Sequence, residues 1–205
     1  MTNRRKRMTR RTTIVGAAAG AAAVATAILL LLGSSATGST PGGELAKMSN
    51  HGEPVDPGPG QRHELQNVGA SGASLLAARN ARSFYRLSRD DGSVCYAVNS
   101  STDEDRIGNT VCPLTPTSFP TPTAPVLDLS VFESTSHVPG DFHVVAAQGF
   151  AADGVVAVAL LDQRGHTIAR RRAAGNVYAI DVPPGRVAMT VAAYDADGAE
   201  VFRVP

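Results

Sequence analysis

Asp153-Gly154, then Val155-Val156-Ala157-Val158-Ala159-Leu160-Leu161, then Gln163-Arg164-Gly165 and His166-Thr167-Ile168-Ala169 is the stretch that decides the fold class. The apolar run is too short for an ordinary buried helix. It is bounded on both sides by turn residues, which reads as a strand, a turn and the start of a second strand. The same rhythm extends outward. Val126-Leu127-Asp128-Leu129-Ser130-Val131-Phe132 alternates, with Leu127, Leu129 and Val131 on one face. Phe142 to Phe150 follows, then Asn176 to Val182 closed by Pro183-Pro184-Gly185, then Val187 to Tyr194. Asp195-Ala196-Asp197-Gly198 turns the chain into Val201-Phe202. About seven short strands and no helical run predict a β-sandwich over 126–205. Arg170-Arg171-Arg172 would put Arg170 on the same face as Ile168, so that strand is expected to end near Ala169.

Toward the N-terminus, residues 70–112 predict a small antiparallel meander. Ser83 to Arg89 and Ser93 to Val98 flank Asp90-Asp91-Gly92, a hairpin signal. Cys95 and Cys112 are the two cysteines of the chain. In an exported protein they most simply form one disulfide, stapling a segment too small to bury a large core. Residues 113–125 hold Pro113, Pro116, Pro120, Pro122 and Pro125 among Thr and Ser, which predicts an extended spacer between the two β segments. Residues 34–69, with Asp56-Pro57-Gly58-Pro59-Gly60, are too poor in apolar residues to offset ordering entropy and predict a flexible tether.

Residues 14–33 carry no charge over 20 positions, about 30 Å as a helix and enough to cross one hydrocarbon core. Arg4, Arg5, Lys6, Arg7, Arg10 and Arg11 precede this run. They predict a cytoplasmic basic tail over 1–13 and a C-terminal part outside the cytoplasm. The length favours an uncleaved signal anchor. A cleaved signal peptide would have a shorter apolar core, with Ser34-Ser35-Ala36 as its site, and would make the protein secreted. Gly16 and Gly20 have the spacing that lets two membrane helices pair closely, a route to a homodimer.

The 149–165 stretch, Asn176-Val177-Tyr178 and Ala193-Tyr194-Asp195-Ala196-Asp197-Gly198 together resemble bacterial immunoglobulin-like sandwich modules in membrane-anchored proteins of high-GC Gram-positive bacteria. The resemblance covers about 80 of the 205 residues. It implies the sandwich fold.

Charge excludes one class of partner. Six of the 19 basic residues precede the first acidic one, Glu44, leaving 13 basic against 18 acidic residues. An acidic outer part argues against nucleic acid. Tryptophan is absent and only ten residues are Phe or Tyr, which argues against a large aromatic-lined pocket. Asp195, Asp197 and Glu200 resemble a fragment of a calcium loop without its remaining ligands, and a hairpin turn accounts for them. His137, Asp141 and His143 could serve a metal or an active site, but Pro139-Gly140 between them indicates a plain turn. No catalytic set and no cofactor is implied. The expected function is a membrane-anchored extracytoplasmic binding or interaction module, with an envelope protein or polymer as partner. The alternative is a cell-envelope enzyme assembled from residues such as His137, Asp141 and His143.

Overall fold

The hairpins expected around Asp90-Asp91-Gly92 and Gln163-Arg164-Gly165 are both present in the computed structural model, which describes residues 41–100, 105–113, 119–134 and 142–204. The first half holds α1 (Pro41–Glu44), β1 (Glu53–Val55), α2 (Pro59–Asn67), β2 (Ala70–Arg79), β3 (Arg82–Arg89), β4 (Val94–Asn99) and β5 (Asn109–Val111). The second half holds β6 (Val126–Asp128), β7 (Val131–Ser134), β8 (Phe142–Ala151), β9 (Ala157–Leu161), β10 (Thr167–Arg172), β11 (Val177–Asp181), β12 (Thr190–Tyr194) and β13 (Glu200–Val204). The chain is mainly β.

Strands β1 to β5 form one antiparallel meander in chain order. The second half forms two sheets, β10-β9-β12-β13 and β11-β8-β6, with β7 also on β8. β6 and β7 pair with successive stretches of β8, Val126 opposite Ala151 and Val131 opposite Ala146. They act as one strand interrupted at Leu129-Ser130, so the described second half counts seven strands, as expected.

Apolar patterning stacks these elements into layers. Val144, Ala147 and Ala151 of β8 and Tyr178 and Ile180 of β11 meet Val158 and Leu160 of β9 and Val191 and Ala193 of β12. That is the core between the two sheets. On its other side the β11-β8-β6 sheet presents Phe150, Val177 and Ala179 to Leu76, Phe84, Tyr96 and Val98 of the meander. The rings of Phe84 and Tyr96 stand 5.7 and 4.9 Å from that of Phe150. The meander's far face, with Ala73, Tyr85, Leu87 and Ala97, is covered by Leu65 of α2 and by Ile107. At β8 and β11 the middle sheet is therefore buried on both faces, and these two strands read as near-continuous apolar runs, whereas β7 at its edge leaves Val131 and Phe132 exposed.

Two expectations for the flanking segments need correction. The tether predicted over 34–69 is ordered from Pro41 onward, where it supplies α1, β1 and α2. Pro59 sits in the first turn of α2, where its missing N–H costs nothing, so proline starts this helix instead of breaking it. Glu64 then fixes the helix to the far end of the meander, accepting from the Ile107 and Gly108 amides at 2.6 and 3.1 Å. The predicted 113–125 spacer does not separate the two β segments. Phe119 is buried, its ring 5.2 Å from that of Tyr96, and Thr121 bridges Ala124. The shared aromatic cluster joins the two halves across this segment.

The predicted disulfide is present. Cys95 and Cys112 are bonded, and both cysteines are accounted for. Tyr96 pairs with Val111, Ala97 with Thr110 and Val98 with Asn109. Cys95 and Cys112 are the next opposed pair of that ladder, so the bond closes the open end of the β4–β5 hairpin.

One glycine is required by the core. Tyr178 lies across Gly149 and donates its hydroxyl to Asp128 Oδ1 at 2.6 Å. A Cβ on Gly149 would stand 2.7 Å from that hydroxyl. Burial pushes the Asp128 carboxyl up, against the lowering effect of hydrogen bonds from Ser130 and Tyr178.

Candidate functional site

The chain segment leading into β1 runs along the seam between the meander and the sandwich, where four polar side chains latch it down. Asp153, in the turn after β8, accepts at Oδ1 from the Ser49 amide (3.0 Å), the Ser49 hydroxyl (3.1 Å) and Asn176 Nδ2 (2.8 Å). Asn176, at φ 63°, also donates to the Ala151 carbonyl at 2.9 Å and accepts from the Asn50 amide at 3.0 Å. Asparagine tolerates that left-handed conformation better than most residues do. Asn50 donates to the Leu76 carbonyl of β2 at 3.1 Å and to the Gly175 carbonyl at 2.7 Å. One side chain thus touches both halves. Burial raises the Asp153 carboxyl, but donors from Ser49 and Asn176 and the charge of Lys47 outweigh it and hold the group below its ordinary value.

Beside this latch lies an open groove of about 470 Å³, lined among others by Glu44, Asn50, Asp153, Arg172 and Asn176. A second depression of about 460 Å³ continues from Ser49 and Asn50 along Leu75, Leu76 and Ala77. The groove is polar. In the first groove Asp153 Oδ1 already receives three donors and neither histidine nor cysteine lines it, whereas His51 and Glu53 line the second depression. Such a surface can recognise a ligand through hydrogen bonds and charge.

Arg172 connects the groove to the outer edge of the sandwich, where the structure departs from the sequence reading. β10 runs on through Arg172 instead of stopping near Ala169. The reason is a bulge: Thr167 opposes Leu161 and Ala169 opposes Leu160, leaving Ile168 as an extra residue. Ile168 and Ala169 both pack against the sandwich core, and alternation restarts one residue out of step. Arg170 and Arg172 then lie opposite Ala159 and Ala157 on the outer face, while Arg171 lies opposite Val158 on the other. All three are exposed. The Arg170 guanidinium sits 4.7 Å from the centre of the Tyr194 ring. Among the described residues no carboxylate forms an ion pair with any of the three, whereas Arg82, Arg89, Arg106 and Arg203 each have one.

The remaining predicted residues fall as follows. Asp195 Oδ1 accepts from the Asp197 and Ala199 amides at 3.0 and 2.8 Å, and Glu200 pairs with Arg203. These acids are used by the β12–β13 turn and its flank. His143 lies on β8 opposite Glu133, with Nδ1 buried and without a hydrogen-bond partner, while His137 and Asp141 lie outside the described residues. No group of three His, Cys, Asp or Glu among the described residues could hold a metal ion. The 14–33 span, its flank Arg4, Arg5, Lys6, Arg7, Arg10 and Arg11, and Gly16 and Gly20 also lie outside the described residues. No described helix is long and apolar enough to cross a membrane. Sequence reasoning missed the latch. Asp153-Gly154 signalled a turn, but nothing local marks an aspartate or asparagine whose partners stand about a hundred residues away.

Comparison with protein-family models, with curated proteins and with solved structures finds no match.

Proposed function

We propose that the chain is a membrane-anchored interaction module displayed outside the cytoplasm, held by its 14–33 segment with the basic flank inside. The observation that carries this reading is the Cys95–Cys112 bond. Disulfides persist in oxidising compartments and are rare in the cytosol. The basic cluster followed by 20 uncharged residues supplies the matching topology. The bilayer is then the first partner, an envelope protein or polymer the second, and Gly16 with Gly20 a pairing face for two anchors.

The display scaffold is an immunoglobulin-like sandwich in this reading. Its support is the strand order: the interrupted β6–β7 strand, β8 and β11 in one sheet, and β10, β9, β12 and β13 in the other. The chain changes sheet after β8, after β10 and after β11, as the connections of such sandwiches do. Recognition in these scaffolds falls to loops and edges held on a rigid frame, and the groove and the arginine-bearing edge are such features.

Intact mass of the protein from membrane fraction and medium, with and without reduction and thiol alkylation, tests the proposal. Full-length mass in the membrane, with both cysteines labelled only after reduction, is the expected result. A chain starting near residue 37 in the medium would make the protein secreted. Thiols that label without reduction would remove the orientation altogether.

A further inference from the structure

We infer that the free edge of β10 takes an acidic, extended peptide segment of a partner protein as an added strand, with Arg170, Arg171 and Arg172 reading its charge. The inference rests on the interaction-module reading and names the partner class for it.

The backbone supplies the first half of the case. Among the described residues β10 is the outermost strand of its sheet. The Ala173 amide donates to the Val156 carbonyl on the β9 side, whereas the Arg170 carbonyl is reached by Arg171's own Nη1 at 3.0 Å. Residues of Arg170's parity therefore turn their N–H and C=O away from β9, so Arg170 and Arg172 present a row of groups that another strand can pair with. A side chain of the same strand occupies one of those acceptors.

The side chains supply the second half. An added strand projects its own side chains alternately to both faces of the sheet. The three arginines are split in the same way, Arg170 and Arg172 on one face and Arg171 on the other. A polyanion lying on one face would meet only part of this set. An acidic strand at the edge meets all of it. Tyr194 holds the Arg170 guanidinium in place, which lowers the entropy lost when it binds a carboxylate. The surrounding outer part carries an excess of acidic residues, yet these three cations have no acidic partner among the described residues. Two copies of this edge repel one another, so the same charges that block self-pairing select an acidic partner.

The test uses the full chain in nanodiscs of neutral lipid and a fluorescent ten-residue peptide repeating Asp-Asp-Val-Val, which puts acids on both faces of the added strand. Anisotropy should show saturable binding that weakens as salt rises. Arg170→Gln/Arg171→Gln/Arg172→Gln should weaken it at least tenfold. A peptide with proline in place of each valine, which keeps the acids but removes backbone donors, should bind at least tenfold more weakly. Amides of 167–172 should gain protection from hydrogen exchange on binding of the Asp-Asp-Val-Val peptide. Equal binding by the triple variant, equal binding of the proline peptide, tighter binding of dextran sulfate than of the peptide, or no binding to the unmodified chain would each overturn the inference. Location and thiol state are measured separately, so a chain that is anchored and disulfide-bonded but ignores the peptide loses only this inference.

Discussion

The five-stranded meander and the two-sheet sandwich are built from similarly short strands but are held by different means. The sandwich closes a core between two sheets of its own. The meander has one sheet, a nine-residue helix over part of one face, and the sandwich itself against the other. It adds what the sandwich does without: a disulfide, the Glu64 bridge from helix to β5 side, and the latch of residues 49 and 50 onto Asp153 and Asn176. A unit of this size buries too small a share of its surface to be more than marginally stable alone. The comparison implies that the sandwich is the platform and the meander a dependent layer on it.

Phe150→Ala should give the largest effect. Phe150 is fully buried in the shared layer and touches both Phe84 and Tyr96. Truncation of such a ring costs about 3–5 kcal/mol. Urea unfolding followed by far-ultraviolet circular dichroism should shift accordingly, and hydrogen exchange should rise more in 70–99 than in 157–194. Equal loosening of both halves would mean that they form one cooperative unit with no platform.

Cys95→Ala/Cys112→Ala comes next, at about 2–4 kcal/mol for a loop of this length. The change belongs to the meander alone, so β9 and β12 should keep their exchange protection while β4 and β5 lose theirs. Loss spreading evenly into the sandwich would again remove the distinction.

How much of this was legible depended on how local the cause was. The Asp90-Asp91-Gly92 hairpin, the strands of the second half and the Cys95–Cys112 pair follow from residues close in sequence, or from there being two cysteines in all. Composition misreads 41–69, because Pro and Gly count as breakers there while Pro59 opens a helix and Leu65 buries against the sheet. Strict alternation misread Arg170, because one bulge at Ile168 reverses every face beyond it. The latch was not legible at all: Asn50 and Asn176 are 126 residues apart, and neither carries a local sign of its partner.

Asn176→Ala should break that latch at about 1–3 kcal/mol, since it strips donors from Asp153 and the Ala151 carbonyl and puts alanine at positive φ. Limited proteolysis should then cut within 45–52 first. The same contact has a pH signature. The Asp153 carboxyl is held below its ordinary value, so the stability it adds is present above the unfolded-state value near pH 4 and is lost as pH falls through the lower folded value. In Asn176→Ala that acid-side loss should shrink. Asp128 works in the opposite sense. Burial raises it, so its contribution weakens as pH rises from about 4 through the folded value. Acid titrations of Asn176→Ala and Asp128→Asn should therefore deviate from the unmodified protein in opposite directions. Parallel curves would show that neither carboxyl is set by the contacts described.

The smallest effect should have the opposite sign. Asn80 and Ala81 join β2 to β3 with φ of 49° and 56°, the two positive values that a tight hairpin turn needs. Asparagine is suited to that region, but alanine pays a steric penalty there of roughly 1 kcal/mol. Ala81→Gly removes the clash and adds some unfolded-state entropy, leaving a net gain of about 0.5 kcal/mol. Because the turn lies within the meander, the gain should appear as slower exchange in 70–89 with 157–194 unchanged. A loss of stability instead would mean that the Asn80-Ala81 turn carries no strain, and that the meander's dependence on the sandwich owes nothing to its own hairpin.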